Sequence, residues 1–366
     1  MKKIIFGITN LNTGGAETTL ADIANKLCND YDITIFTLYS NNDLENNLSS
    51  KIKIINLFNK TFEELSFLNK KIISLKLFLF KNSIYKKYIK NNYDVEIAFL
   101  EGPITSLFST KNKLTKKIAW VHTNISKIFG SGLKSKIKYL INKKTYSNYN
   151  KLIFVSSSAL EDFNRIYENI TVPKQVINNY IDADKIIEKS EQKIDFNFDN
   201  NSVNFLSVCR FVEAKALDRL AKIHFNLINN GFFHKIYLIG YGPLENSLKQ
   251  LISSLNIENT FILLGKQANP FPYMNLCDYF LLSSYYEGLP LVLTESKILN
   301  KYILATNSAS NEALDDYDYK KIVHNTEDAI YNGIKELILN KPKVDKNYSY
   351  NLNYILDEIK NIIECE

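Results

Sequence analysis

The sequence of 366 residues predicts an α/β protein built from two doubly wound domains, each with a parallel sheet covered by helices on both faces. Short apolar runs rich in β-branched and aromatic residues alternate with longer helical patterns along the whole chain. This alternation is typical of parallel strands that are buried on both sides. The chain is too long for one ordinary core, so two domains of roughly 150–200 residues each are expected.

Eleven strands are predicted where apolar runs end in turn-forming residues. In the first half they cover 3–9, 32–39, 51–57, 95–100, 117–123 and 151–157. In the second half they cover 203–209, 235–240, 260–265, 279–284 and 302–307. Helical patterns lie between them, as in GGAETTLADIANKL, where Leu20, Ile23 and Leu27 share one face. The expected architecture is two Rossmann-like domains that face a central cleft.

The domain boundary is predicted in the polar segment 177–202, which is rich in Asn and Asp and has the composition of a linker. The N-terminal domain is therefore expected to cover residues 1–182, and the C-terminal domain residues 183–349. The last helical pattern, in 350–366, follows the completed second sheet and is expected to cross back to the first domain.

Cysteine usage and hydropathy favour a reducing compartment and a cytoplasmic location. The four cysteines are scattered, without a CxxC pair or a histidine cluster, which argues against a disulfide framework or a zinc site. The N-terminal apolar run is too short for a signal peptide. The longest later run, 72–80, contains Lys76 and is far shorter than the roughly 20 residues of a membrane span.

The charge is concentrated in the first half of the chain. Residues 1–180 carry 26 Lys and Arg against 14 Asp and Glu, and within 51–150 the balance is 20 against 5. In the segment 74–90 lysines alternate with the aromatic residues Phe78, Phe80, Tyr85 and Tyr88. This composition suits the anionic face of a membrane, and a solvated basic helix is the alternative interpretation.

Ligands of open α/β sheets bind beyond the carboxyl ends of the strands, so ligand-binding residues are expected in the turns that follow strands. Gly14 and Gly15 precede a helix whose N-terminus can attract phosphate, although an ordinary tight turn explains them too. In SVCRFVEAKALDRL, Arg210 and Lys215 can neutralise a diphosphate; solvated surface charges are the alternative. No P-loop and no full GxGxxG fingerprint occurs.

Two later turns add further candidates. In LIGYGPLENSLKQL, Gly240 and Gly242 flank a tyrosine, which fits contact with a base or plain turn chemistry. In SSYYEGLPLVLTES, Glu295 falls about one turn into a predicted helix, where it can accept the hydroxyls of a ribose. Glu287 lies in the preceding loop. Two acids near a helix N-terminus are also favoured by the helix dipole alone.

The first half offers a smaller set of polar residues at strand ends. His122 closes an apolar strand, a position at which a lone histidine is more often structural. Glu101 ends the neighbouring predicted strand, and Asn178, Asn179 and Asp182 close the first domain.

The order of these motifs resembles the retaining glycosyltransferases of family 4, which have the GT-B fold. The motifs are GGAE, a mid-domain strand ending in His, SVCRFVEAK, GYGP and EGLPLVLTE, and they extend from Gly14 to about Asn307. The pair of glutamates Glu287 and Glu295 is the most specific of them. The chain departs from the family pattern at Ala216, where glycine is usual.

The resemblance implies a role for each candidate. Arg210 and Lys215 would bind the donor diphosphate and stabilise the leaving nucleotide, Glu295 would hold the ribose, and Glu287 would face the donor sugar. His122 would lie beside the transferred sugar. The other implied donor-site residues are Gly15, Gly240, Gly242, Gly288, Leu289, Pro290 and Leu291, and those on the acceptor side are Gly14 and Glu101.

The implied activity is retaining transfer of a hexosyl or N-acetylhexosaminyl group from a nucleotide-sugar, with UDP-sugar favoured. The acceptor would be a glycan or a polyprenyl-diphosphate-linked sugar at the cytoplasmic face of the inner membrane, in the synthesis of surface polysaccharide, lipopolysaccharide or capsule. No cofactor or metal is implied, since the two cations and helix amides would stabilise the leaving group. The triplets Asp182–Asp184 and Asp316–Asp318 are interpreted as surface acids.

Three alternatives remain at this point. A nucleic-acid-binding protein would explain the basic half, but the acids Glu287 and Glu295 have no part in it. A catalytically silent GT-B scaffold that binds membrane and partners is disfavoured because all implied donor-site residues are present. A UDP-sugar epimerase of the same fold is disfavoured by the glutamate pair.

Overall fold

The structure is a computed structural model in which two compact units are resolved by their internal contacts. Residues Met1–Ile181 and Leu352–Glu366 form the N-terminal unit, and residues Asp182–Asn351 form the C-terminal unit. The described residues are 1–12, 14–40, 43–59, 67–90, 92–112, 114–126, 133–308, 310–344 and 350–365.

The N-terminal unit contains a parallel sheet of seven strands in the order β3-β2-β1-β4-β5-β6-β7. The strands are β1 Lys3–Ile8, β2 Asp32–Tyr39, β3 Lys53–Phe58, β4 Val95–Ala98, β5 Lys116–Val121, β6 Lys151–Phe154 and β7 Lys174–Val176. Its helices are α1 Gly15–Leu27, α2 Phe67–Tyr88, α3 Pro103–Phe108, α4 Leu133–Tyr146 and α5 Ser157–Ile166, with a 3₁₀ turn at Glu45–Asn47.

The C-terminal unit repeats this plan with six parallel strands in the order β10-β9-β8-β11-β12-β13. The strands are β8 Asn204–Val208, β9 Lys235–Ile239, β10 Phe261–Gly265, β11 Tyr279–Leu282, β12 Tyr302–Thr306 and β13 Lys320–Val323. Its helices are α6 Ala183–Ser190, α7 Leu217–Asn229, α8 Glu245–Ser254, α9 Phe271–Leu276, α10 Leu291–Ile298, α11 Ser310–Leu314 and α12 Glu327–Asn340, with a 3₁₀ turn at Glu213–Lys215.

The chain ends in α13, Asn353–Glu364, which belongs to the N-terminal unit although it follows the second sheet. Lys2 pairs with Glu364 at 2.6 Å, and Lys360 pairs with Asp30 at 2.7 Å. The Lys116 ammonium contacts the Cys365 carbonyl just beyond the helix. Cations at this end suit the negative pole of the helix dipole.

In both sheets the strand order reverses at one point, between β1 and β4 in the first sheet and between β8 and β11 in the second. This is the doubly wound order, and the prediction of two such α/β domains is confirmed. The eleven predicted strands are all present, and two more, β7 and β13, were missed. Both are short, lie at an edge and are only half-buried, so neither carries a continuous apolar run.

The prediction of a linker over 177–202 was wrong for part of that range. Residues Ala183–Ser190 form α6, capped by the Asp182 carboxylate, which accepts a bond from the Lys185 amide. Ile186 on this helix is buried, and α6 packs against α9 and α10 of the C-terminal unit. The helix is short and has one buried face, which is why its sequence is mostly polar.

A buried charge cluster fixes α2 to the amino end of the first sheet. Lys117 on β5 contacts Glu96 on β4, and both side chains are at most 2% exposed. Tyr85 on α2 donates to Glu96 at 2.6 Å, and Lys117 also donates to the Phe108 carbonyl at 2.7 Å. Each charged group is therefore satisfied, as burial of an ion pair requires.

This cluster corrects part of the predicted membrane surface in 74–90. Tyr85 is 1% exposed, so its side chain is not available to a membrane, whereas Tyr88 is half-buried with its ring against Phe36. Phe80 remains exposed, together with the neighbouring Leu79. The side chain of Phe78 lies outside the described residues.

Two buried histidines form a neutral chain of hydrogen bonds in the C-terminal unit. His234 Nδ1 donates to the Phe232 carbonyl at 2.8 Å, so its Nε2 must accept from His224 Nδ1 at 2.9 Å. His224 Nε2 then accepts from the Thr260 hydroxyl at 2.9 Å. Burial lowers the pKa of His224 to about 2 and that of His234 to about 4.

Because both rings are buried and neutral, we expect the free energy of unfolding to decrease at acidic pH. Between pH 6.5 and about pH 4 the unfolded chain binds more protons on them than the folded chain does, so the free energy of unfolding falls as the pH falls. At pH 5 the loss is about 2 kcal/mol for each ring. We expect chemical denaturation to show a smaller drop between pH 7 and pH 5 in His234→Gln than in the wild type. Equal drops would contradict the prediction.

Candidate functional site

The loops that leave β8 and β11 bring two predicted residues together. Lys215 Nζ lies 2.5 Å from Glu287 Oε1, and the two side chains are 18% and 11% exposed. Two further hydrogen bonds join the loops, from Ser283 Oγ to the Lys215 carbonyl at 3.2 Å and from the Tyr285 amide to the Ala214 carbonyl at 2.8 Å. An accessible ammonium and carboxylate thus lie at the carboxyl edge of the second sheet.

Arg210 supplies a second cation at the same edge, two residues after β8. Its side chain is exposed and has no ion pair or hydrogen bond among the described residues. The next residue, Phe211, is fully buried, and its amide donates to the Tyr241 carbonyl at 2.8 Å. The guanidinium is therefore free to bind an anion while the main chain behind it is held in place.

Gly240 and Gly242 have a packing role that the sequence did not reveal. A Cβ atom on Gly240 would lie 1.8 Å from the Cys209 carbonyl oxygen, and one on Gly242 would lie 2.3 Å from the Phe211 carbonyl oxygen. Gly240 also has φ of 145°, which favours glycine. Both glycines let the β9 turn approach the loop that carries Arg210; their predicted contact with a donor remains a prediction.

Glu295 lies on α10, the helix that begins at Leu291 just after Pro290. Glu295 is half-buried and falls in the second turn of this helix. The amides of the first turn have no acceptor within the helix and can bind a ligand. Gly288 and Leu289 are half-buried in the loop between Glu287 and this helix. The segment therefore places its amides and both glutamates near the same helix N-terminus.

Ala216, the departure from the family pattern, has a left-handed backbone with φ of 52° and ψ of 40°. This conformation costs an L-residue roughly 1–2 kcal/mol and explains why glycine suits the position. The residue is fully buried between the Glu213–Lys215 turn and α7.

In the N-terminal unit, Glu101 and His122 lie after the adjacent strands β4 and β5. Glu101 Oε1 accepts bonds from the amides of His122 at 2.6 Å and Thr123 at 2.8 Å. Burial raises the pKa of Glu101, and these hydrogen bonds oppose the rise. Glu101 therefore holds the turn that carries His122, a structural contact that does not test its predicted role toward an acceptor.

His122 is 8% exposed and packs against the Phe99 ring at 4.8 Å. Burial lowers the pKa of His122 to about 3, so the ring is neutral at physiological pH. Its Nε2 atom is buried and has no hydrogen-bond partner among the described residues. An unpaired buried nitrogen costs free energy unless a ligand or water completes it.

Gly14 and Gly15 lie where α1 begins. Gly14 is the N-cap with extended backbone, and its carbonyl accepts from the Thr18 amide at 2.9 Å. Gly15 is exposed, and the Glu17 carboxylate of the same first turn lies against Gly14. The preceding residue, Thr13, lies outside the described residues.

Two of the acids interpreted as surface groups have structural partners. Asp182 caps α6, and Asp316 contacts the buried ammonium of Lys297 on α10. Asp184 and Asp318 are exposed. Within the described part of the chain, no group of three or more His, Cys, Asp or Glu side chains is arranged to hold a metal ion.

Sequence reasoning missed Arg219 and Asn325, which contact the loop before Glu287. Arg219 Nη2 donates to the Ser283 carbonyl at 2.6 Å, and Asn325 Nδ2 donates to the Tyr285 carbonyl at 2.8 Å. An arginine inside a helical pattern looks like an ordinary exposed residue, and Asn325 precedes a helix as many turn residues do. Nothing in their local sequence signals this contact.

The chain is similar to known proteins in sequence and in fold. Residues 188–353 match the family model described as glycosyl transferases group 1. A Campylobacter jejuni protein named N-acetylgalactosamine-N,N'-diacetylbacillosaminyl-diphospho-undecaprenol 4-alpha-N-acetylgalactosaminyltransferase is 26% identical over 95% of this chain and 93% of its own. An uncharacterized glycosyltransferase of Methanocaldococcus jannaschii is 28% identical, but the match covers only 56% of this chain and 51% of that protein.

Among solved structures, Anabaena HepE in complex with UDP and glucose superposes with a TM-score of 0.68. The two chains are 16% identical, and the match covers 93% of this chain and 91% of that one. The comparisons support a glycosyltransferase with the GT-B fold. The matched residues 188–353 include all six strands of the C-terminal sheet, and Arg210, Lys215, Glu287 and Glu295 lie in the loops and the helix that follow β8 and β11.

The close approach at Gly240 predicts a large penalty for a side chain there. Gly240→Ala should destabilise the protein by more than about 3 kcal/mol, because the new methyl group would overlap the Cys209 carbonyl. Gly231→Ala is the matched control: Gly231 also has a positive φ, of 82°, but no atom lies within 4 Å of its Cβ position. That variant should lose only about 1–2 kcal/mol.

Denaturant unfolding of the two variants checks this difference. Equal losses would show that the turn after β9 can move away from the Arg210 loop, and that Gly240 is not needed to hold the loop in place.

Proposed function

We propose that this protein is a retaining glycosyltransferase that moves a hexosyl or N-acetylhexosaminyl group from a nucleotide-sugar, with UDP-sugar favoured. The acceptor is a glycan or polyprenyl-diphosphate-linked sugar, in the synthesis of bacterial surface polysaccharide, lipopolysaccharide or capsule. The observation that carries the proposal is the contact between Lys215 and Glu287 beside the exposed Arg210, at the carboxyl edge of β8 and β11.

The two cations suit the leaving group. As the bond between the sugar and the diphosphate breaks, negative charge develops on the diphosphate, and preorganised cations stabilise it most strongly. Arg210 can bind two phosphate oxygens through its planar fork, and Lys215 acts as a point charge. The proposed transfer therefore needs no metal, and unchanged turnover after chelation by EDTA is the corresponding test.

The geometry of Glu287 supports a role at the sugar. The Glu287 side chain is 11% exposed and its carboxylate pairs with the Lys215 ammonium. In the proposed complex the same ammonium also binds the donor diphosphate. In the proposed reaction Glu287 binds hydroxyls of the donor sugar, and the departing diphosphate takes the proton of the acceptor hydroxyl on the same face. This route gives retention without the two-carboxylate scheme of glycosidases.

His122 contributes a neutral hydrogen-bonding group in this proposal. Since its pKa is about 3, the ring is not a general acid at pH 7. Its unpartnered Nε2 instead suits a hydroxyl of the transferred sugar, which would satisfy the buried nitrogen. Glu101 holds the turn that fixes this ring in place.

The N-terminal unit carries a surface that suits an anionic membrane. Leu79 and Phe80 on α2 are 61% and 57% exposed. Lys86, Lys87 and Lys90 beyond them are exposed as well. Exposed apolar side chains next to lysines bind the interface of anionic bilayers, where a lipid-linked acceptor is found. None of the described helices is long and apolar enough to cross a bilayer.

The donor site is tested by thermal shift with UDP-, GDP-, ADP- and dTDP-sugars and the bare nucleotides. A ligand that binds the folded state raises the melting temperature, so one nucleotide series should stabilise the wild type. Glu295→Ala should lose this stabilisation because the ribose contact is removed, whereas the exposed-acid control Glu258→Ala should keep it. Lys215→Ala should mainly slow transfer.

If no nucleotide series stabilises the wild type, the donor-site proposal is wrong and the silent scaffold becomes the better interpretation. Stabilisation that survives Glu295→Ala would instead place the ribose elsewhere in the site.

The membrane surface is tested with vesicles containing anionic lipid. Replacing Lys86, Lys87 and Lys90 by Gln should weaken binding by about 3 kcal/mol in total, since each basic residue near such a surface contributes about 1 kcal/mol. The matched control replaces Lys222, Lys249 and Lys343 of the C-terminal unit. Equal effects of the two triple variants in co-sedimentation would show that only net charge matters.

A further inference from the structure

The main chain between β11 and Glu287 is held by side chains from outside its own strand. The Ser283 carbonyl accepts from Arg219 Nη2 at 2.6 Å, and the Tyr285 carbonyl accepts from Asn325 Nδ2 at 2.8 Å. The carbonyl between them, of Ser284, accepts from Asn325 Nδ2 at 3.2 Å and from Thr306 Oγ1 at 2.7 Å. Three successive carbonyls are therefore fixed just before the glutamate.

Arg219 is the buried centre of this arrangement. It lies in the first turn of α7 and is 5% exposed. Its Nη2 also donates to Asn325 Oδ1 at 2.7 Å, and its guanidinium lies 4.3 Å from the centre of the Tyr285 ring. No carboxylate lies within ion-pair distance of it among the described residues. Burying a cation on carbonyl and amide groups is costly, so the contact needs a reason beyond packing.

The position of the clamped segment supplies that reason. The segment lies between β11 and Glu287 and is also bonded to the Lys215 loop through Ser283 Oγ and the Tyr285 amide. A shift of this segment would move the Glu287 carboxylate away from the Lys215 ammonium, which it contacts at 2.5 Å. Fixing the segment from two sides thus fixes the geometry of the pair.

We propose that Arg219 and Asn325 are positioning residues for sugar transfer: they hold the segment Ser283–Tyr285 and thereby aim the Glu287 carboxylate. The role of Glu287 at the donor sugar rests on the proposed function above. Arg210 lies at the start of the loop after β8, before the residues Ala214 and Lys215 that are bonded to the clamped segment, and Glu295 lies on α10. Loss of the clamp therefore impairs recognition and transfer of the sugar more than binding of the bare nucleotide.

The test compares Arg219→Met with Lys222→Met, which removes the same charge from an exposed position on the same helix. In Arg219→Met, amide hydrogen exchange of residues 283–288 should become faster, and kcat should fall about 10- to 100-fold, as expected for a misplaced catalytic group. The affinity for bare nucleotide should stay within about 2-fold of the wild type. The affinity for the sugar-nucleotide should fall until it no longer exceeds that for the bare nucleotide. Lys222→Met should match the wild type throughout.

Asn325→Asp tests the clamp without removing the buried arginine. The carboxylate still accepts from Arg219 but cannot donate to the carbonyls of Ser284 and Tyr285. We expect the same split between nucleotide and sugar-nucleotide affinity. The double variant should then lose less than the two single effects combined, because both act through one segment.

Unchanged exchange of 283–288 in both variants would overturn the proposal. So would equal losses of bare-nucleotide and sugar-nucleotide affinity, which a general loss of structure would produce. If the wild type binds no nucleotide-sugar, the proposed function fails; the exchange experiment then still decides whether Arg219 and Asn325 hold the segment.

Discussion

The parallel pairing of β8 with β9 on one side and β11 on the other is the constraint on which the candidate site depends. Since all three strands run in the same direction, their following loops leave the sheet at one edge, and the reversal of strand order opens a gap between the β8 and β11 loops. Lys215 and Glu287, 72 residues apart in sequence, meet across this gap. Gly240 and Gly242 let the loop after β9 lie against the main chain of the loop after β8.

Two ion pairs lie at opposite ends of the two sheets and differ in how far solvent reaches them. At the amino end of the first sheet, Glu96 and Lys117 are sealed from solvent and fully satisfied by Tyr85 and a carbonyl. At the carboxyl end of the second sheet, Lys215 and Glu287 keep part of their surface accessible. The first pair holds a helix on a sheet, whereas the second is accessible from solvent.

The histidines follow the same distinction. His224 and His234 satisfy each other inside the C-terminal unit and leave no nitrogen for a ligand. His122 is equally neutral but retains a buried nitrogen without a partner at a strand end. None of these three rings is suited to proton transfer near neutral pH. In the proposed reaction the leaving diphosphate, and none of these three rings, takes the proton.

The sequence by itself determined the two doubly wound sheets, eleven of the thirteen strands and the set of candidate residues, because apolar periodicity and strand-end motifs are local signals. It did not reveal β7, β13 or α6, whose polar edge positions carry little apolar signal. Tertiary structure alone decided that Tyr85 points inward, that Gly240 supports the Arg210 loop, and that Arg219 and Asn325 hold the chain before Glu287. Each of these depends on contacts between segments far apart in sequence, and the identity of a residue does not state which distant carbonyl or carboxylate will lie beside it.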